Sequence, residues 1–108
     1  MIRSIQAGEI LDMESKPTLS DGTAGGVEQD AITFNLCKKL VDDFILVTEE
    51  EIAEAMRLFI EKEHLLIEGA AAVAIAGFLK QKSDYRDQKV VIIICGGNIG
   101  LETFKMIL

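Results

Sequence analysis

The chain has 108 residues, room for one domain and its core but not for two. With 49% apolar and 27% charged residues it has a globular composition, which excludes a disordered chain. A formal charge of −7, with lysines and arginines scattered along the chain, argues against a nucleic-acid or anionic-membrane surface. Two cysteines, Cys37 and Cys95, are too few for a disulfide scaffold and point to a reducing compartment. The longest apolar run, Ala70 to Leu79, is about half of the roughly 20 residues that a membrane span needs. The N-terminus, Arg3 followed by Gln6 and Glu9, lacks the apolar stretch of a signal peptide. A soluble, cytoplasmic chain is expected. The mean hydropathy of +0.27 is high for so small a domain, which implies apolar surface facing a partner or a piece of something larger.

In chain order, Met1 to Ala7 reads as a short helix stopped by Gly8. Lys16 to Gln29 reads as a long loop, with the only proline, Gly22, Gly25, Gly26 and small polar residues. Asp30 is a candidate cap for a helix from Ala31 to about Val41, with Phe34, Cys37 and Leu40/Val41 on its buried face. Phe44 to Val47 reads as a short strand. Thr48 and Glu51 form a capping box, and the helix that follows runs to about Glu63 with Ile52, Ala55/Met56 and Phe59/Ile60 as its stripe. Glu68 to Lys80 predicts a helix that is apolar all round, and so buried on every side. Gln81 to Lys89 is a polar connection. Val90 to Cys95 has no alternation, as expected of an interior parallel strand. Gly96-Gly97-Asn98 makes a turn, and a last helix starts at about Ile99 and is still running at Leu108. The order of elements predicts an α/β fold with parallel strands and packed helices. An interior strand and an all-round apolar helix both need cover that two strands cannot supply, so residues 1–108 are expected to be an incomplete part of a larger α/β domain.

Three segments carry candidate chemistry. Cys95-Gly96-Gly97-Asn98 lies at the carboxyl end of the predicted interior strand, where ligands of α/β sheets bind. Its glycines admit a ligand to the backbone, the next helix N-terminus offers N–H groups, and Cys95 offers a weak S–H donor. The same residues also make an ordinary tight turn behind a small hydrophobe. Asp21, before Gly22, can orient a ligand group or simply make an Asp-Gly turn. Glu68 heads the apolar helix, and on its residues alone reads as a dipole-complementing cap. His64 is the only histidine, which excludes a histidine-based metal cluster. No metal site is expected. Cys37 reads as a core thiol, and Glu49 to Glu51 as a solvated helix start.

Four segments occur in a telling order: Thr18 to Ala24; Thr33-Phe34 with Val41 to Ile52; Ile67 to Ala74; and Cys95 to Asn98. Together they resemble the threonine/serine dehydratase and serine racemase family, pyridoxal-phosphate enzymes of fold type II (tryptophan synthase beta-like). Thr23 to Glu28 resembles its hydroxyectoine-utilisation dehydratase branch. The resemblance covers nearly the whole chain and implies the C-terminal segment of the large catalytic domain. It implies an L-threonine/L-serine ammonia-lyase, with an amino-acid substrate, a 2-oxo acid and ammonia as products, and pyridoxal 5'-phosphate as cofactor. By the same resemblance, Cys95 would bond the pyridine nitrogen as a neutral partner, where most relatives carry serine. Gly96, Gly97 and Asn98 would shape the wall beside the ring, Asp21 and Gly22 would border the substrate pocket, and Glu68 would support the site. The family's cofactor-bearing lysine, asparagine loop and phosphate-cradling glycines are expected upstream, so the isolated chain is expected to be inactive. The residues leave two other readings open: a small anion-binding or regulatory α/β module, and a non-catalytic assembly subunit. Self-association through exposed apolar surface, as a homo-oligomer, is expected.

Overall fold

A computed structural model describes all of residues 1–108 and contains five α-helices: α1 (Ile2–Ala7), α2 (Ile32–Leu40), α3 (Glu49–Glu63), α4 (Gly69–Lys80) and α5 (Leu101–Ile107). The chain divides into two units, residues 1–16 with 24–45, and residues 17–23 with 46–108.

In the first unit α1 ends as its sequence requires: Gly8 takes φ 85°, a left-handed conformation that costs glycine little, and donates to the Ser4 and Ile5 carbonyls. Ser4 is buried and its hydroxyl accepts the Leu11 N–H at 3.1 Å, which folds the following chain back along the helix. On α2, Phe34 is buried and the Lys38 ammonium lies 5.9 Å from its ring centroid. Asp30 does not cap this helix: the N-cap position falls to Ala31, with no side-chain bond. Leu40 and Val41 are exposed and Cys37 is only half-buried, so the expected stripe narrows to Phe34.

The second unit is built on α3 and α4, whose facing sides supply Ile52, Ala55 and Met56 on one helix and Ala71, Ala72 and Ala76 on the other. Ile67 and Ile107 close this core from the loop before α4 and from α5. Met56, unbranched and fully buried, fills the space that the small α4 side chains leave. The start of α3 follows its sequence closely. The Thr48 hydroxyl accepts the Glu51 N–H at 3.2 Å, and the Glu51 carboxylate accepts the Thr48 N–H at 2.8 Å. Lys80, in the last turn of α4, donates to that same Glu51 carboxylate at 3.0 Å and to the Leu46 carbonyl at 2.9 Å. The far end of α3 stops at His64, an exposed residue held left-handed at φ 57°.

Two expectations are corrected here. Phe44–Val47 and Val90–Cys95 are not strands: both lack helix and ladder alike. Val91 and Ile93 are 83% and 69% exposed, the reverse of an interior strand covered on both faces. A strand is a property of a pair, because its N–H and C=O groups need a neighbour, and no other segment of the chain runs alongside. Likewise α4 is not buried all round. Its covered side is Gly69, Ala71, Ala72, Ala76 and Gly77, while Ala74 is exposed and Val73, Ile75, Phe78 and Leu79 are partly covered.

The α3–α4 contact makes two testable statements. Met56→Ala should destabilise the chain by about 2–5 kcal/mol in urea unfolding, the usual range for a buried truncation that leaves a cavity. Glu51 titrates below the ordinary carboxylate range because the Thr48 N–H, foremost, and the Lys80 ammonium bond its ionised form. A lowered folded pKa contributes stability above the unfolded pKa and loses it as pH falls through the folded value. The wild-type melting temperature should therefore fall as the pH drops below the ordinary carboxylate range, and Glu51→Gln should flatten that fall.

Candidate functional site

The site is organised by Glu68. It occupies the N-cap position of α4, yet its side chain makes no cap bond, which corrects the reading of Glu68 as a simple cap. The carboxylate instead turns to the 96–98 turn, where Oε2 accepts the Asn98 N–H at 3.1 Å. The Glu68 N–H in turn donates to the Gly96 carbonyl at 3.2 Å, so one residue is stitched to the turn through both backbone and side chain. A Cβ at position 96 would lie 2.5 Å from both carboxylate oxygens, so any side chain there would displace the Glu68 carboxylate. Gly97 faces the Leu66 carbonyl, 3.0 Å from where its Cβ would be, and its own carbonyl accepts the Ile99 N–H at 3.1 Å in a three-residue turn.

The loop before the second half of the chain reaches the same place. Residues 17–23 lie against the head of α4, and the Leu19 carbonyl occupies the space that a Cβ on Gly69 would take. Gly22 sits by the Ala70 methyl and the Glu68 carboxylate, and the short 3-10 turn Asp21–Thr23 is tightened by the Gly22 N–H donating to Asp21 Oδ1 at 2.8 Å. The hydroxyls of Ser20 and Thr23 bond each other at 2.5 Å, and Ser20 is buried.

Between these segments lies a cavity of about 440 Å³. Asp21, Glu68 and Asn98 line it, while Gly22 and Gly96 abut it through their contacts with Glu68. Cys95 is exposed and outside the lining, and its thiol is free. Helix α5 begins at Leu101, two residues later than expected, so Ile99 and Gly100 form wall rather than helix. The cavity also recruits residues that the sequence reading left aside: Glu49, read as part of a solvated helix start, and Thr103 and Met106 of α5. Glu49 carries no local signal, because it reaches the site through bonds to Thr18 and Leu19, 30 or more residues away in the chain.

Residues 1–96 match the family described as pyridoxal-phosphate dependent enzymes. The chain belongs to this family. It is 43% identical over its whole length to the L-threonine ammonia-lyase of Thermotoga maritima, of which it spans 26%. Its fold is similar to the serine racemase of Dictyostelium discoideum, with a TM-score of 0.78 and 42% identity over 92% of this chain and 31% of that one. Maize serine racemase is similar too, with a TM-score of 0.81 and 28% identity over 96% of this chain and 32% of that one. The chain thus spans about a quarter to a third of the proteins it matches.

Pyridoxal phosphate is the cofactor of this family. The Cys95 thiol is free, a weak neutral donor, and stands beside the Gly96–Gly97 turn but outside the cavity lining. No lysine lines the cavity, so covalent attachment is not among the contributions of these residues.

The close approach at Gly96 has a direct test. Gly96→Ala should destabilise the chain, because the new Cβ displaces the Glu68 carboxylate. Adding Glu68→Ala should return part of the loss, so a double-mutant cycle in urea should show coupling of about 0.5–3 kcal/mol. Additive losses would show that the carboxylate does not lie over Gly96.

Proposed function

We propose that this chain is the C-terminal segment of the large catalytic domain of a pyridoxal-phosphate-dependent ammonia-lyase acting on L-threonine or L-serine. The observation that carries this reading is the 43% identity, over every residue of the chain, to an L-threonine ammonia-lyase. The joining of the Asp21–Gly22 loop, Glu68 and the Gly96–Asn98 turn around one cavity supports it independently, since these are segments that the family resemblance brings together. In the complete domain Val90–Cys95 would run as a parallel strand, its exposed valines and isoleucines covered by neighbours.

Each residue then has a physical role. The Cys95 thiol would donate to the cofactor's ring nitrogen as a neutral group, leaving that nitrogen largely unprotonated. Gly96, Gly97 and Asn98 would form the wall beside the ring, held in place by Glu68. Asp21 and Gly22 would border the amino-acid substrate. When bound, the cofactor supplies an electron-withdrawing ring that stabilises negative charge at the substrate's α-carbon. This chain's part is to seat that ring and shape the pocket, and the products are a 2-oxo acid and ammonia.

The test is the polypeptide encoded by these residues together with the sequence upstream of Met1. It should convert L-threonine to 2-oxobutanoate and ammonia, and Cys95→Ala should lower kcat/KM roughly fivefold, the worth of one neutral hydrogen bond of about 1 kcal/mol. Formation of D-serine from L-serine without 2-oxo acid would assign the racemase activity instead. Residues 1–108 alone, mixed with pyridoxal phosphate and gel-filtered, should keep no absorbance band of a lysine-bound cofactor. A stable adduct there would overturn the reading.

A further inference from the structure

We propose that Glu49 is a positioning residue for the substrate side of the cavity, acting through the loop that carries Asp21. The proposal rests on the reading above that this loop borders the substrate. By sequence Glu49 and Glu50 are equivalent acids beside the capping-box Glu51 in the first turn of α3, all suited to the positive end of the helix dipole. In the structure they separate. Glu51 completes the capping box and meets Lys80, Glu50 takes part in neither set of bonds, and Glu49 reaches out of its helix to another segment. Thr18 Oγ1 donates to Glu49 Oε1 at 2.6 Å, and the Leu19 N–H donates to Oε2 at 2.7 Å. Both carboxylate oxygens are engaged, one bond each, at the short lengths of charge-assisted hydrogen bonds.

The hold extends along the loop. While its O–H donates to Glu49, the Thr18 hydroxyl oxygen accepts the Ser20 N–H at 3.0 Å, so one carboxylate orders three consecutive residues. On the opposite side the Leu19 carbonyl is seated at Gly69, where no Cβ intervenes. The Leu19 residue is thereby bonded to α3 through its N–H, while its carbonyl packs closely against the head of α4. Asp21 follows two residues later and lines the cavity with Glu49 itself. A loop has few packing contacts of its own to fix it, so removal of the carboxylate's bonds lets it drift and leaves the helices in place.

The experiment compares Glu49→Ala, Glu49→Gln and Glu50→Ala in the full polypeptide that carries residues 1–108, with two readouts. Amide hydrogen exchange at Leu19 and Ser20 should quicken in Glu49→Ala, by less in Glu49→Gln, which keeps one acceptor oxygen, and not in Glu50→Ala. Amides of Ile52, Ala55 and Ala72 should keep their protection in all three. In steady-state assays with L-threonine and L-serine, Glu49→Ala should raise KM by about 10-fold with kcat changed less, the scale of one charged hydrogen bond. Glu50→Ala, which removes the same helix-end charge but no loop bond, should leave KM unchanged. Unchanged exchange at Leu19 in Glu49→Ala overturns the proposal, as does an equal KM effect in Glu49→Ala and Glu50→Ala. If the wild-type polypeptide has no ammonia-lyase activity, it is the functional reading that fails, and the exchange comparison still decides whether Glu49 holds the loop.

Discussion

A helix made largely of alanine and glycine can be approached closely from several directions, and the second unit depends on this property of α4. Ala71, Ala72 and Ala76 let α3 come near enough for Met56 and Ile52 to be buried against them. At the head of the same helix, Gly69 leaves room for the Leu19 carbonyl, and the residue before it, Glu68, reaches the 96–98 turn. Larger side chains along α4 would push away α3 and the loop together. Packing in the core and assembly of the cavity are therefore one constraint, since protein interiors have no slack in which to absorb the difference.

Carboxylates do the finer placement. Glu68, Glu49 and Glu51 all head helices, and each could have served the helix dipole alone. Instead each accepts bonds from groups that helix formation leaves open or that lie in another segment: the Asn98 N–H, the Thr18 hydroxyl with the Leu19 N–H, and the Thr48 N–H with the Lys80 ammonium. Such charge-assisted bonds carry direction as well as energy, which suits them to fixing loops whose apolar contacts are few. These acidic residues thus have a structural use, two of them, Glu49 and Glu68, at the cavity itself.

The exposed apolar surface follows from the same arrangement. Val91, Ile93, Leu46 and Leu101 are well exposed, and the Val90–Cys95 segment has backbone groups with no ladder partner. Proteins of the family that this chain matches are three to four times as long as the stretch it covers. Much of the apolar surface that the high mean hydropathy reflects lies exposed in these segments.

By itself the sequence determined what depends on near neighbours. The Gly8 stop of α1, the Thr48–Glu51 capping box and the extent of α3 to Glu63 were legible because each is a bond or a backbone conformation completed within four residues. Family membership was legible because four motifs stand in order along nearly the whole chain. The expectation that Glu68 supports the site came from that resemblance, while its local pattern suggested only a cap. What tertiary structure alone decided is where long-range partners meet: that Glu68 lies over Gly96, that Glu49 holds Leu19, and that Val90–Cys95 remains extended and unpaired here. The physical reason is common to all three. A hydrogen bond between residues 30 apart, or a ladder between strands, depends on the space left by a third segment, and that space is set by packing rather than by the local order of side chains.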